Sequence, residues 1–361
     1  MRALYQIAFL AGILFSCACS DSNPSPSDDD NKPPSSGTSS FTITTLELSN
    51  DLTIDIYVPS AENASGKYPI IYFNDGDVFK GAIASLTSYQ FEATSTVEPF
   101  MMVGISAGGH RYGRYIPYND PWIKENWSEY SPGSINYTER LINEVLPMVE
   151  EDYPVDPKRR AIFGFSLSGL YAAWAGINYP EVFSFSASMS PSFWVADYAI
   201  FDEPRELSNT RFYFDIGTKE WNYYVPMIES LENQGFEYGK DIFYYEVPNG
   251  IHAESDWASR LHIPLGLFLN GAPAEVKDYE VIKECIPSQS TAGLVFQRLN
   301  PIITFTNGIR YSLSTSAAFQ VVSGDGVVLE DGRFDAKGRN MTVEISHDNW
   351  SEHIDLTDCN N

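Results

Sequence analysis

Ser166 is the side chain in this sequence best placed to act as a nucleophile. It stands in Gly164-Phe165-Ser166-Leu167-Ser168-Gly169-Leu170, between an apolar run at 160–165 and an alanine-rich stretch with helical spacing. A serine on a sharp strand-to-helix turn is held in a strained conformation with its hydroxyl exposed. The helix N-terminus then aims free N–H groups and its positive end at the same point. The helix doubles back on the strand, so the residues two before and two after must be small; here they are Gly164 and Ser168. Ser168 replaces the usual glycine and is small enough for the turn. Such a serine suits acyl transfer through a covalent intermediate.

A serine hydroxyl needs a base, and the chain has five histidines. His347 and His353 lie in the C-terminal segment, His262 in an apolar helical pattern, and His110 in a loop. His252 directly follows the last strand of the series, in Pro248-Asn249-Gly250-Ile251-His252, and is the candidate base. The group that orients its ring belongs in the stretch 214–220. Glu220 is preferred there, with Asp215, Asp256, Glu254 or an unassisted Ser–His pair left open. An oxyanion needs two N–H donors. Leu167 supplies one, and Asp77 in Asn74-Asp75-Gly76-Asp77-Val78 is the candidate for the other, with Gly76 permitting a positive φ. A plain Asp-Gly turn is the alternative there. Neither metal nor organic cofactor is required.

These residues need a scaffold that ends several strands at one edge. Residues 41–48 and 52–58 alternate apolar and polar across Ser49-Asn50-Asp51, the pattern of an antiparallel pair. Short apolar runs follow at 69–73, 100–105, 160–165, 184–189, 212–216 and 242–247. Runs apolar on both faces suit a parallel sheet covered by helices. Helical spacing lies between them at 141–149, where Pro147 predicts a kink, and at 167–178, 223–233 and 253–269. The reading is an eight-stranded, mostly parallel sheet with flanking helices over 41–271, its ligand site beyond the carboxyl ends of the strands. Beyond Gly271-Ala272-Pro273, strand-like runs separated by Asn307-Gly308, Gly324-Asp325-Gly326 and Asp331-Gly332 predict a small β-sandwich-like domain over 272–361. It is expected to be a spacer, a docking surface or a weak binder.

The 361 residues are 43% hydrophobic, enough for a sizeable core, and carry a net charge of −25. So acidic a surface repels phosphate backbones and disfavours nucleic acid as a partner. Arg2 precedes an apolar run, 7–15, that is too short to span a bilayer and suits a signal peptide over 1–19. That run ends in Leu14-Phe15-Ser16-Cys17, similar to the lipobox of bacterial lipoproteins, so Cys17 is the expected lipid-modified residue, with Cys19 the alternative. The polar stretch 20–40 reads as a tether that cannot fold alone. The folded part is then expected outside the cytoplasm, where Cys285 and Cys359 are free to pair.

Several stretches together resemble the esterase D-like branch of the α/β-hydrolases, which includes enterochelin-type siderophore esterases and feruloyl and acetyl esterases. They are Tyr68-Pro69-Ile70-Ile71-Tyr72-Phe73-Asn74-Asp75-Gly76, Val103-Gly104-Ile105, Arg111-Tyr112-Gly113-Arg114-Tyr115-Ile116-Pro117, Glu144-Val145-Leu146-Pro147 and 160–170. Pro180-Glu181-Val182-Phe183, Ser190-Pro191-Ser192-Phe193-Trp194, Gly217-Thr218-Lys219-Glu220 and His252 complete them. The resemblance covers roughly 50–270 and implies an α/β-hydrolase fold with Ser166 as nucleophile and His252 as base. Ser168 in place of glycine is the departure from the pattern.

Aromatic residues crowd the loops where the nucleophile emerges. Tyr115, Trp194, Trp221 and Trp257 are expected to contact a flat sugar or aromatic acyl group. Arg111 and Arg114 are expected to hold a carboxylate or catecholate oxygen, or else to pair with nearby acids such as Asp120. The expected activity is ester hydrolysis on an aromatic or carbohydrate ester, with a siderophore lactone as the alternative. A binding lipoprotein that kept the fold and lost the activity is the rival from another class.

Overall fold

The computed structural model describes residues 41–48, 52–78, 98–127, 130–203, 207–220, 224–271, 273–287, 295–330, 332–357 and 359. The signal peptide, Cys17, Cys19, the tether and Trp221 lie outside the described residues.

The expected eight-stranded sheet is present. Its strands are β1 (Phe41–Leu48), β2 (Leu52–Pro59), β3 (Tyr68–Asn74), β4 (Met101–Ile105), β5 (Val155–Phe165), β6 (Phe185–Met189), β7 (Arg211–Gly217) and β8 (Ile242–Val247). They lie in the order β1-β2-β4-β3-β5-β6-β7-β8. β1 and β2 pair antiparallel, as do β2 and β4, and every later pair is parallel. The chain leaves β4 on one side of β3 and returns as β5 on the other. This reversal opens a crevice beyond the carboxyl ends of β3 and β5, the place where such sheets bind ligands. Alternation of sequence and space explains the central strands: β4 and β6 are buried along their whole length because helices cover both faces.

Among the described residues, the α-helices of five residues or more are α1 (Arg111–Tyr115), α2 (Pro121–Asn126), α3 (Ser134–Arg140), α4 (Leu146–Asp152), α5 (Leu167–Asn178), α6 (Val225–Glu232), α7 (Glu254–Arg260) and α8 (His262–Asn270). Near Pro147 the helix departs from regular α geometry. A π-helical segment, Leu141–Val145, joins α3 to α4, and Pro147 is the second residue of α4. The pattern at 253–269 is two helices rather than one, and Pro264 falls in the first turn of α8. One face of the sheet packs Leu170, Tyr171, Val145 and Met227 from α5, α4's approach and α6; the other packs Trp257, Leu265 and Phe268 from α7 and α8.

The C-terminal strands are β9 (Val276–Pro287), β10 (Val295–Phe305), β11 (Arg310–Ser312), β12 (Ala318–Gly324), β13 (Val327–Val328), β14 (Arg333–Asp335), β15 (Met341–His347) and β16 (Trp350–Leu356). They form a five-stranded sheet and a three-stranded sheet. This part is not held off as a spacer. Leu299, Ile302, Phe305 and Tyr311 share one apolar cluster with Phe243, Leu265 and Phe268, and the Tyr311 ring meets that of Phe243 at 5.5 Å. The reason is that β8 ends the large sheet and would otherwise offer an open edge. The Glu246 N–H donates to Ser312 Oγ and its carbonyl accepts from Asn300 Nδ2, both at 2.9 Å. Its buried carboxylate is bonded to Arg298 and Ser314.

Cys285 of β9 is joined to Cys359, past β16, across a sequence separation of 74 residues. Closing a loop of that length stabilises the fold by about 4 kcal/mol through the unfolded chain. Cys285→Ser with Cys359→Ser is expected to lose that amount in a denaturant titration; an unchanged midpoint would contradict it.

Candidate active site

Ser166 sits between β5 and α5 with φ 55° and ψ −121°, a left-handed conformation that non-glycine residues rarely adopt. The turn is tight enough to dictate its neighbours. A Cβ on Gly164 would lie 2.1 Å from the Ser168 carbonyl oxygen, so only glycine fits there. Ser168 fits for a different reason: its Oγ donates to the Phe165 carbonyl at 2.9 Å and accepts the Phe165 N–H at 3.0 Å. The serine found where glycine is usual thus clasps the turn. The Ser166 N–H is taken by the Met189 carbonyl at 2.9 Å. The Leu167 N–H opens α5, where helix geometry supplies no acceptor.

Three side chains distant in sequence meet at this turn. His252 Nε2 lies 3.0 Å from Ser166 Oγ, and His252 Nδ1 lies 2.7 Å from Glu220 Oε2. The tautomer satisfying both contacts carries its proton on Nδ1 and leaves Nε2 free to accept the serine proton. Burial is divided between them: the imidazole is 48% exposed and the Glu220 side chain 4%. A buried carboxylate needs partners. Glu220 Oε1 accepts from Ser190 Oγ at 2.6 Å and from the Gly217 N–H at 2.9 Å. Ser190 in turn accepts from Trp257 Nε1 at 2.9 Å and from Arg260 Nη2 at 2.8 Å. The Trp257 ring stands edge-on to the imidazole, 4.7 Å between centroids.

Among the acids left open in the sequence, Glu220 is the one at the imidazole. Asp215 is fully buried and faces Arg260, with contacts of 3.0 and 3.1 Å. Burial raises its carboxyl above the ordinary range while Arg260 opposes that shift. Asp256 bonds Arg260 and the Ile251 N–H. Both therefore hold the scaffold.

The turn after β3 differs in detail from expectation. The positive φ, 56°, belongs to Asp75 and not to Gly76. Gly76 is required for close approach, since a Cβ there would lie 2.3 Å from Gly104 Cα. The Gly76 N–H goes to the Ile105 carbonyl and the Asp75 N–H to Tyr115 Oη. Asp77 follows at the exposed end of the turn, and its N–H bonds no other described residue.

Four of the residues expected to contact substrate have other surroundings. Tyr115 is fully buried among Tyr137 and Tyr171, its hydroxyl used by Asp75. Trp257 is buried behind the imidazole, because its ring fills the gap between His252 and Phe165. Arg114 is buried and donates to the Ser106 and Ala107 carbonyls, holding the loop after β4. It lines a cleft of about 300 Å³ with His110, Asn136, Tyr137 and Arg140, and neither Ser166 nor His252 lines that cleft. Arg111 pairs with Asp75 at 2.9 Å rather than with Asp120, which caps α2. Its guanidinium lies 5.7 Å from the centre of the Phe165 ring.

Trp194 is partly exposed and lies two residues after Ser192, whose Oγ is 3.4 Å from Ser166 Oγ. It meets Trp122 edge to face at 5.9 Å; Trp122 meets Trp127 at 5.1 Å, and Tyr112 stacks on Trp127 at 5.3 Å. Trp122 is 41% exposed. The aromatic excess is thus divided between a buried tyrosine cluster and a partly open tryptophan patch. Sequence reading gives no role to Ser190, Ser192 or Arg260. The signal for Arg260 is its place four residues after Asp256 on one helix; the serines show none beyond following a strand.

The sequence model of the family described as "Putative esterase" matches residues 45–266, more than half of the chain. The chain belongs to this esterase family. Among curated proteins it is 27% identical over 180 residues to the ferri-bacillibactin esterase BesA of Bacillus subtilis, covering 43% of this chain and 62% of that one. It is 28% identical over 167 residues to the uncharacterized protein YbbA of the same organism, covering 45% and 66%. The chain therefore spans just under two thirds of either relative. Among solved structures, the enterobactin hydrolase IroE in complex with DFP superposes with a TM-score of 0.52 at 19% identity, covering 65% of this chain and 97% of that one. The siderophore hydrolase EstB from Aspergillus nidulans gives a TM-score of 0.50 at 19% identity, covering 67% and 98%. These superpositions establish the α/β-hydrolase fold. The family match stops before β9.

Removing Asp215 leaves the buried Arg260 with Asp256 as its remaining carboxylate partner. Asp215→Ala is therefore expected to cost about 2–3 kcal/mol of stability in a urea titration, less than for a wholly unpaired buried charge; a loss below about 1 kcal/mol would show that the pair is dispensable.

Proposed function

We propose that this member of the esterase family is a serine carboxylic-ester hydrolase. The observation that carries the reading is the contact chain Ser166–His252–Glu220, at 3.0 and 2.7 Å, with the serine on a strained turn at a helix N-terminus. Ser166 Oγ attacks the ester carbonyl carbon as His252 Nε2 takes its proton, and the buried Glu220 carboxylate stabilises the imidazolium. The tetrahedral oxyanion accepts hydrogen bonds from the Leu167 and Asp77 N–H groups. His252 then gives its proton to the departing alcohol, and a water activated by the same ring releases the acid and restores the serine. The chain order serine, acid, histidine is the one usual for this fold. A binding protein without activity has no need of a half-exposed imidazole held between a strained serine and a buried carboxylate.

The tryptophan patch at Trp122, Trp127 and Trp194 supports an ester with a flat aromatic or sugar ring. A second reading, a catecholate siderophore lactone, is favoured by the similarity to the ferri-bacillibactin esterase. The lipobox-like Leu14-Phe15-Ser16-Cys17 and the polar tether support attachment outside the cytoplasm through a lipid on Cys17, and the Cys285–Cys359 disulfide fits an oxidising compartment.

Purified protein and its Ser166→Ala variant assayed on p-nitrophenyl acetate, methyl ferulate, acetyl-xylan and a tricatecholate lactone test the activity. The variant is expected to lose roughly 10³-fold or more in kcat on whichever ester is cleaved. Retention of wild-type turnover would refute the mechanism. Cys17→Ser is expected to move the protein from the membrane fraction to the soluble fraction, and continued membrane retention would refute lipid attachment at Cys17.

A further inference from the structure

Glu284 lies on β9, beyond the span matched by the esterase family, yet its carboxyl group touches both loops that carry the polar relay. Its Oε1 accepts from Thr218 Oγ1 and, at 3.3 Å, from the Asn249 N–H. Thr218 is two residues before Glu220, and Asn249 is three before His252. The two loops also hold each other. The Asn249 N–H reaches Thr218 Oγ1 at 2.8 Å, and the Lys219 N–H reaches the Gly250 carbonyl at 3.0 Å. They are so close that a Cβ on Gly217 would lie 2.3 Å from the Gly250 carbonyl carbon.

What the loops lack on their own is a reference point, and Asn249 needs one. Its φ of 59° is a left-handed conformation that a non-glycine residue keeps only when its surroundings impose it. Glu284 is itself fixed. It is 9% exposed, and it stands opposite Arg298 in the β9–β10 ladder. Arg298 pairs with the buried Glu246 of β8, one residue before the base loop begins to turn. Its strand is therefore tied through β10 and Arg298 to β8, whose following loop carries His252, and its carboxyl is bonded directly to the loop that carries Glu220.

We propose that Glu284 is a positioning residue for the Ser166–His252–Glu220 relay, and that the C-terminal module is thereby a working part of the active site. The proposal rests on the serine-esterase reading. Hydrogen bonds of 2.7 and 3.0 Å through one imidazole demand that acid and base loops keep their separation to about 0.5 Å. One carboxyl oxygen shared by a residue of each loop sets that separation. Without it, Thr218 and Asn249 keep their mutual bond but lose the anchor in β9, so the effect falls on turnover and not on folding of the sheet.

The test measures kcat and KM for p-nitrophenyl acetate in the full chain, with sites counted by stoichiometric fluorophosphonate labelling. Glu284→Ala is expected to lower kcat per titrated site by about 10- to 100-fold with KM within about twofold. Glu284→Gln keeps an acceptor oxygen and is expected to stay within about threefold of wild type. Thr218→Val, which also removes the acceptor of the Asn249 N–H, is expected to lower kcat at least as far, and the double variant Glu284→Ala/Thr218→Val to fall no further than Thr218→Val alone. Full kcat per titrated site in Glu284→Ala, or a Gln variant as impaired as the Ala variant, would overturn the proposal. Should Glu284→Ala fail to fold, Glu284→Asp, which draws the carboxyl back from both loops by one methylene and leaves the Thr218–Asn249 bond in place, decides by the same criterion. Equal turnover by wild type and Ser166→Ala is a separate failure: it removes the serine mechanism itself, whatever Glu284 does.

Discussion

A buried carboxylate held against a half-exposed imidazole is the contact on which the rest of the site depends. Glu220 and His252 come from loops after β7 and β8, which are parallel neighbours and therefore end at the same edge of the sheet. Parallel pairing alone brings such loops within reach. Glycine at 217 and 250 lets their backbones touch, and the touching backbones leave the acid and the ring one hydrogen bond apart. A bulkier residue at either place would separate the Glu220 carboxylate from the His252 ring without altering either.

Burying Glu220 has an electrostatic cost that the surrounding polar groups offset. Ser190 and the Gly217 N–H satisfy one carboxyl oxygen, and the imidazole satisfies the other. Ser190 gives its own proton to Glu220 because Trp257 and Arg260 both donate to it, which leaves its hydroxyl no other direction. Arg260 is neutralised by Asp215 deep under the sheet edge. Glu220 is thus a link in a polar chain that runs from solvent at His252 to a buried ion pair. Such a network rigidifies when every member is satisfied, and each member beyond the relay serves it by orientation.

Much of this was legible in the sequence, and the rest was not for definite reasons. The sheet and the order of Ser166, Glu220 and His252 follow from local patterns: apolar runs, small residues about a serine, and position just after strands. Gly76 stands in the expected turn for a different cause, its close approach to Gly104, a residue on another strand. Tyr115 and Trp257 read as rim residues because aromatic type does not reveal which way a side chain faces. Glu284 is silent in the sequence for a similar reason. Nothing near it suggests chemistry, and its significance appears only when β9 is laid beside the loops after β7 and β8. The C-terminal strands read as a separate unit since sequence cannot show that β8 leaves an edge for them to cover.

The most direct measurement of the central claim is the mass of the peptide that a fluorophosphonate probe modifies. A hydroxyl activated by His252 and Glu220 must be the one that reacts, so the adduct is predicted on Ser166 and should disappear when His252 is replaced by alanine. Ser192 lies only 3.4 Å away and provides an internal control. Labelling at Ser192 or elsewhere, or labelling of Ser166 that is indifferent to His252, would contradict the claim.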